Sequence, residues 1–120
     1  MGMFDRIYVD KVINESSFSI PILPGSYQTK DLNCRMGVVR LASNFFPKTY
    51  EDGIKLDLNQ RKKIRIYKPI HEIDFIQLMK EEDIILYNIN YFQKSINKKW
   101  LEYELSLNNR WRIISSNIIY

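Results

Sequence analysis

The chain has 120 residues, a formal net charge of +4 and a single cysteine, Cys34. This length suits one domain with its own hydrophobic core, and a lone thiol excludes an intramolecular disulfide and favours a reducing compartment. No run approaches the roughly 20 apolar residues of a membrane-spanning helix. The N-terminal segment carries Asp5 and Asp10 and lacks the apolar region of a secretory signal. We therefore expect a single cytoplasmic domain, residues 1–120.

Short β-favouring runs follow one another along the chain. They are rich in β-branched and aromatic side chains, they are bounded by turn residues, and they cover residues 4–9, 36–42, 54–58, 63–67 and 84–91. This pattern predicts a mainly β fold, either an antiparallel sheet or a partly open barrel of hairpins. The NQRK turn after residue 58 predicts that residues 54–58 and 63–67 form a hairpin with a basic tip.

The segment GSYQTKDLNC, residues 25–34, places polar side chains between two apolar runs. Alternation along it predicts an extended strand whose polar side chains bond neighbouring loops or the N-terminal segment. The alternative is a ligand site formed by four consecutive polar residues, Gln28, Thr29, Lys30 and Asp31. We favour the structural interpretation.

One short helix is expected after the predicted hairpin, from about residue 70 to residue 81. Pro69 stands at a possible first helical position, Glu72 follows early, and apolar residues recur near helical spacing. Residues 84–91, IILYNINY, then favour a strand because they combine β-branched and aromatic side chains.

The last 20 residues predict a hairpin. WLEYELSL, residues 100–107, alternates strictly between apolar and polar side chains, which is typical of a strand with one buried face. A three-residue loop, residues 107–109, would pair Leu105 with Trp111 and leave Asn109 in the left-handed conformation.

Signals of catalysis are weak. His71 is the single histidine and has no histidine or cysteine at the spacing of a zinc site, and Cys34 lacks the local signatures of thiol enzymes. Glu102 and Glu104 emerge on one strand face, where paired charges are the normal outcome for a solvated sheet. We therefore predict no enzyme, no catalytic residue, no metal and no cofactor.

Two groups of residues are candidates for binding. Basic residues gather near Tyr67, namely Arg61, Lys62, Lys63 and Arg65. Such a surface would contact nucleic acid through phosphates and stacked bases, although lysine and arginine at a hairpin tip also protect sheet edges against aggregation. Trp100 interrupts the polar strand face that carries Glu102, and an exposed aromatic among charges is a typical anchor of a protein interface.

The N-terminal MGMFD and the later SYQTKDLNC together resemble a family of small, largely uncharacterised proteins from tailed bacteriophages of the T-even type. WLEYELSLNNRWRII is similar to that family's terminal hairpin. Many relatives carry a cysteine near residue 11 and a proline-rich, metal-knuckle-like segment, whereas this chain has Lys11 and PILPG. The resemblance therefore implies no metal here.

The resemblance implies a phage source and a role in the cytoplasm of an infected bacterium. Small accessory proteins of large phages commonly act by binding, either to take over a host enzyme or to inhibit a defence system. We therefore predict a non-catalytic protein whose partner is a host macromolecule, with a host protein favoured. The alternative is a nucleic-acid-binding protein that uses the basic hairpin, residues 61–68. No membrane partner is expected.

Overall fold

The computed structural model of the chain describes residues 3–56, 63–81 and 89–119. Within these ranges the chain forms six strands and two helices: β1 (Asp5–Val9), β2 (Gly25–Thr29), β3 (Val38–Leu41), β4 (Lys63–Pro69), α1 (Glu72–Glu81), α2 (Ile89–Lys98), β5 (Trp100–Leu107) and β6 (Ile113–Ile118). The prediction of a mainly β fold is confirmed.

The described strands form one curled, half-barrel sheet in the order β3-β1-β2-β4-β5-β6. Four of the neighbouring pairs are antiparallel, whereas β1 and β3 are parallel, so the sheet is mixed. The parallel pair arises because β2 runs antiparallel to β1 and the following loop, residues 30–37, reverses the chain again. β3 therefore runs in the direction of β1 and lies on its other side.

Side chains alternate between a buried inner face and a solvent-facing outer face of the sheet. The inner face carries apolar and aromatic side chains, among them Ile7, Val9, Tyr27, Ile64, Ile66, Leu101, Tyr103 and Leu105. Their burial supplies most of the stabilisation, because a fully buried aliphatic side chain contributes roughly 1.5–3 kcal/mol. The outer face carries polar and aromatic side chains.

Two buried tyrosines attach the PILPG segment to the inner face. The Tyr27 hydroxyl donates to the Leu23 carbonyl at 2.6 Å, and the Tyr103 hydroxyl donates to the Pro21 carbonyl at 2.9 Å while it accepts from the Leu23 N–H at 3.1 Å. The two rings meet edge to face, with centroids 5.9 Å apart. Burial raises the pKa of both phenols well above the usual value, so both hydroxyls remain protonated donors.

The predicted helix at 70–81 is confirmed as α1, but the predicted strand at 84–91 is wrong where it can be compared. Residues 84–88 lie outside the described residues, and residues 89–91 begin α2. In α2, Phe92 and Ile96 lie four residues apart and are both buried, and the Phe92 ring packs 5.0 Å from that of Phe75 in α1. Burial of this helical stripe outweighs the β propensity of the first residues.

The predicted hairpin of residues 54–58 with 63–67 is also wrong in its described part. Residues 57–62 lie outside the described residues, and Lys55 forms an isolated bridge with Thr49 instead of joining the sheet. β4 pairs with β5 on one side and with β2 on the other. Both edges of β4 therefore already have partners from other parts of the chain.

The terminal hairpin forms as predicted, but its register differs. Leu105 pairs with Ser116 instead of Trp111, and the loop between β5 and β6 spans residues 108–112. A β-bulge at the end of β5 accounts for the shift between the first and the later pairs.

The loop of the terminal hairpin is fixed by the side chain of Asn108. Its Oδ1 atom accepts from the N–H groups of Arg110 at 2.9 Å and Arg112 at 3.0 Å. Trp111, with a φ of 65°, adopts the left-handed conformation that was predicted for Asn109. The Asn108 side chain replaces backbone partners within the turn, so it sets a longer loop than the apolar pattern suggests.

The buried carboxylate of Asp5 holds the loop between β2 and β3. Its Oδ1 accepts from the N–H groups of Arg35 at 3.1 Å and Gly37 at 2.9 Å, and its Oδ2 accepts from the Cys34 N–H at 2.8 Å and the Tyr50 hydroxyl at 3.1 Å. The side chain is fully buried. Three backbone donors and one hydroxyl therefore replace the water that a carboxylate normally binds.

The loop around Asp5 needs an unusual backbone. Cys34 and Met36 are left-handed, with φ values of 53° and 57°, and this turns successive N–H groups toward one point. At Gly37 a Cβ atom would lie 2.5 Å from the ring of Tyr50, so only glycine fits there. The Tyr50 hydroxyl also accepts from the Asn33 N–H at 3.2 Å.

Replacing Asp5 by asparagine should destabilise the protein by about 2–4 kcal/mol, because one acceptor becomes an NH₂ group that faces backbone N–H donors. Asp10→Asn is the matched control, since Asp10 forms only an exposed ion pair with Arg40. Urea unfolding at pH 7 measures both. Equal stability of the two variants would contradict the assigned role of Asp5.

Tyr50→Phe should lower stability at neutral pH by about 1–2 kcal/mol, through the loss of the hydroxyl between Asp5 and Asn33. Burial, reinforced by the charge of Asp5, raises the pKa of Tyr50 to about 12 from a usual value near 10. The unfolded chain therefore ionises first, and the stability contributed by Tyr50 is full below pH 10 and is lost as the pH rises through 12. Urea unfolding of the wild type and Tyr50→Phe should show a smaller difference in the free energy of unfolding at pH 11 than at pH 8. An equal difference at the two pH values would contradict this role of Tyr50.

Candidate binding surface

The outer face of the two central strands brings predicted binding residues together. Because the side chains of β4 alternate, Lys63, Arg65 and Tyr67 point to the outer face beside Ser106, Glu104 and Glu102 of β5. Arg61 and Lys62 lie outside the described residues. The described part of the basic segment is therefore one edge of a larger, mixed surface.

Tyr67 and Trp100 form an aromatic platform at one end of this face. Their rings stack with centroids 5.6 Å apart and an interplanar angle of 27°, and Trp100 remains 42% exposed. α2 ends at Lys98, and the next residue, Lys99, is left-handed with a φ of 58°. The Lys99 N–H donates to the Ile96 carbonyl at 3.0 Å and closes the last turn of the helix. This helix end fixes where β5 starts and thereby where Trp100 stands.

The QTKD segment packs against β4 beside this platform. Gln28 pairs with Tyr67, the Thr29 hydroxyl donates to the Arg65 carbonyl at 2.8 Å, and the Arg65 N–H donates to Asp31 Oδ2 at 2.8 Å. The Asp31 N–H in turn donates to Thr29 Oγ1 at 3.2 Å. Two polar side chains thus continue the pairing with β4 where the strand β2 ends.

These contacts divide the four residues of the predicted family segment. Thr29 and Asp31 bond the backbone of β4, and Lys30 is exposed while its carbonyl accepts from the Cys34 thiol at 3.3 Å. Gln28 lies on the outer face beside the platform. Of the four residues in the ligand-site alternative, Gln28, Thr29, Lys30 and Asp31, only Gln28 therefore lies at the aromatic platform. The other three follow it along the chain at the end of β2.

The outer face carries charges of both signs, cations on β4 and carboxylates on β5. Lys63 Nζ and Arg65 Nη2 each lie 3.7 Å from a carboxylate oxygen of Glu104. Burial raises the pKa of Tyr67, and the negative charge of Asp31 adds to this effect, so the phenol remains a neutral donor at physiological pH. The surface therefore offers both signs of charge around two aromatic rings.

Lys68, the last residue of the predicted basic hairpin, does not belong to this surface. It pairs with Leu101 and points to the other side of β4, where its Nζ lies 5.7 Å from the centre of the Tyr27 ring. The Lys68 side chain packs over Gly25, where an added Cβ atom would lie 2.6 Å from Lys68 Nζ. Burial lowers the pKa of Lys68. Strand alternation therefore places Lys68, which lies within the predicted basic hairpin, on the opposite side of β4 from Arg65.

The residues considered for catalysis take separate positions. His71 is exposed ahead of α1, and Glu102 and Glu104 lie on the outer face of β5. Among the described residues, no three histidine, cysteine or carboxylate side chains gather in a group that could hold a metal ion.

Comparison with protein-family models finds no match for this chain, and comparison with curated proteins and with solved structures finds none either. The resemblance to phage proteins therefore stays a prediction. Neither described helix has the length and apolar character required to cross a membrane.

Thr29→Val should destabilise the protein by about 1–2 kcal/mol, because valine keeps the shape of threonine but leaves the Arg65 carbonyl without its donor. Thr49→Val is the control, since Thr49 is exposed. Thermal and urea unfolding compare the two variants. If Thr29→Val were as stable as the wild type, the contact with β4 would not be structural.

Proposed function

We propose that this chain is an accessory protein of a tailed bacteriophage that binds a host protein in the cytoplasm of the infected cell, without catalysis. The contact is made by the Trp100 surface, which we define as six outer-face residues: Gln28, Arg65, Tyr67, Trp100, Glu102 and Glu104. The observation that carries the proposal is the exposed indole of Trp100 stacked on Tyr67.

The aromatic platform has the properties of an interface anchor. Tryptophan, tyrosine and arginine dominate the residues that carry binding energy in protein interfaces. Stacking on Tyr67 fixes the orientation of the Trp100 ring before a partner arrives, so less side-chain entropy is lost on binding. A partner that covers the ring removes apolar surface from water.

The charges around the platform favour a protein partner over nucleic acid. Glu104 lies between Lys63 and Arg65, and Glu102 is the next outer-face residue toward Trp100. A phosphate backbone that approached Arg65 would also meet these two carboxylates, and like charges oppose binding. A protein surface with both signs of charge can pair with each of them.

The surface stands on a stable part of the sheet. β4 and β5 are central strands joined over seven residue pairs, and β2 supports β4 from the other side. Binding sites on such elements keep their geometry without a partner. Recognition by the Trp100 surface therefore requires little rearrangement of the backbone.

Nucleic-acid binding remains the alternative function. It is favoured by the alignment of Lys63, Arg65 and Tyr67 on one face, next to Arg61 and Lys62 in the sequence. Affinity for nucleic acid would fall steeply with salt, because phosphate contacts release counterions.

Affinity capture with the tagged chain from bacterial cells tests the proposal. The wild type should enrich one host protein, and Trp100→Ala should reduce its capture by about thirtyfold, the loss expected when an anchor worth about 2 kcal/mol is removed. Ile114→Ala is the matched control, since Ile114 is 43% exposed and lies at the far end of the sheet. Quantitative mass spectrometry measures the enrichment, and calorimetry on the purified pair confirms it.

Capture that disappears both after nuclease treatment and on Trp100→Ala would assign the Trp100 surface to nucleic acid. Capture that is equal for the wild type and Trp100→Ala would contradict the role of the Trp100 surface. If no protein is enriched by the wild type from cells of a susceptible host, the proposed function itself is wrong.

A further inference from the structure

A second candidate site lies at the other end of β5. An open cleft of about 510 Å³ is lined by Lys48, Lys55, Asn109, Arg110 and Trp111. β5 is eight residues long, so roughly 24 Å of strand separates this cleft from Trp100. The cleft is therefore distinct from the Trp100 surface, and an inference about it does not depend on the proposed function.

The lining of the cleft is cationic. Among the described residues that line it, Lys48, Lys55 and Arg110 contribute three positive charges and none is a carboxylate. A concave site with charges of one sign concentrates ligands of the opposite sign. The volume lies within the range of roughly 300–1,000 Å³ that is typical of small-molecule sites. The cleft therefore favours a small anionic ligand.

Trp111 supplies a flat apolar wall in a conformation that is rare for its residue type. Its φ of 65° places a bulky residue in the left-handed region, where such residues are genuine outliers. Its N–H donates to the Asn108 carbonyl at 3.1 Å, and its carbonyl accepts from the Phe46 N–H at 2.8 Å. Trp111 is partly buried against the core and is also one of the residues that line the cleft.

Both walls of the cleft are held by backbone contacts. On one side Asn108 Oδ1 fixes the N–H groups on either side of Trp111. On the other side the Leu56 N–H donates to the Lys48 carbonyl at 3.0 Å, and Thr49 bridges to Lys55. The backbone segments that carry the indole and the cations are therefore fixed by hydrogen bonds before any ligand binds.

We propose that this cleft binds a nucleotide, with the base stacked on the Trp111 indole and the phosphates contacted by Lys48, Lys55 and Arg110. An aromatic ring beside cations matches a ligand that carries a flat base and negative charge in one molecule. Inorganic phosphate would use only the cations, and an acidic peptide would leave the indole without a stacking partner. The nucleotide is either free or part of a single strand.

Fluorescence of Trp111 tests the proposal directly. The chain has two tryptophans, so Trp100→Phe leaves Trp111 as the single reporter. ADP should quench it saturably, and adenosine or inorganic phosphate should require at least roughly tenfold higher concentrations, because each lacks one of the two contacts. A single-stranded thymidine oligonucleotide forms the second arm. Tighter binding of ADP identifies a free nucleotide, and tighter binding of the oligonucleotide identifies a strand.

Substitution of exposed cations tests binding without disturbing the fold, because these side chains are not part of the core. In the Trp100→Phe background, Arg110→Gln and Lys48→Gln should each weaken binding roughly tenfold, whereas Lys11→Gln, an exposed cation elsewhere, should not. The proposal is overturned if neither ADP nor the oligonucleotide quenches Trp111. It is equally overturned if inorganic phosphate or polyglutamate binds as tightly as ADP, or if Arg110→Gln and Lys48→Gln bind like the wild type.

Discussion

The fold depends on the buried carboxylate of Asp5, which is surrounded by hydrogen-bond donors and has no ion pair with any residue that the structure describes. Asp5 accepts from three backbone N–H groups of the loop between β2 and β3 and from the hydroxyl of Tyr50. An unpaired buried carboxylate is costly, so the loop can adopt only conformations that surround Asp5 with donors. That constraint brings the Gly37 carbonyl to the Arg6 N–H at 2.8 Å and starts the parallel pairing of β3 with β1.

The same segment of chain links this buried network to the outer face. β2 pairs with β1, and the residues at its end reach β4: Thr29 bonds the carbonyl of Arg65, and Asp31 bonds its N–H group. Two residues further along β4, the Tyr67 ring stacks on Trp100. Asp5 of the N-terminal motif and the segment SYQTKDLNC, which are separated in sequence, are therefore parts of one contact network. A structural role for Thr29 and Asp31 is compatible with binding, because they position the strand that presents the aromatic platform.

How much the sequence predicts depends on the range of the interaction. Period-two alternation is a local signal. It correctly predicts β4 and β5 and which of their side chains share a face. α2 is missed because its first three residues belong to the β-favouring run 84–91, whereas the helical spacing of Phe92 and Ile96 starts only after that run. The terminal register fails because the Asn108 side chain, not the apolar pattern, sets the loop and places Trp111. The role of Asp5 could not be predicted, since its partners lie about thirty residues or more away.

The two tryptophans differ in the charges that surround their rings. Trp100 starts β5 beside carboxylates, and Trp111 follows its end among three cations. An indole adds apolar contact and stacking to any partner, so the neighbouring charges decide which partner gains. Carboxylates next to Trp100 would repel phosphate and pair with basic side chains of a protein, as proposed above, whereas the cations next to Trp111 would attract phosphate. One sheet can therefore support two recognition sites that do not compete for the same class of ligand.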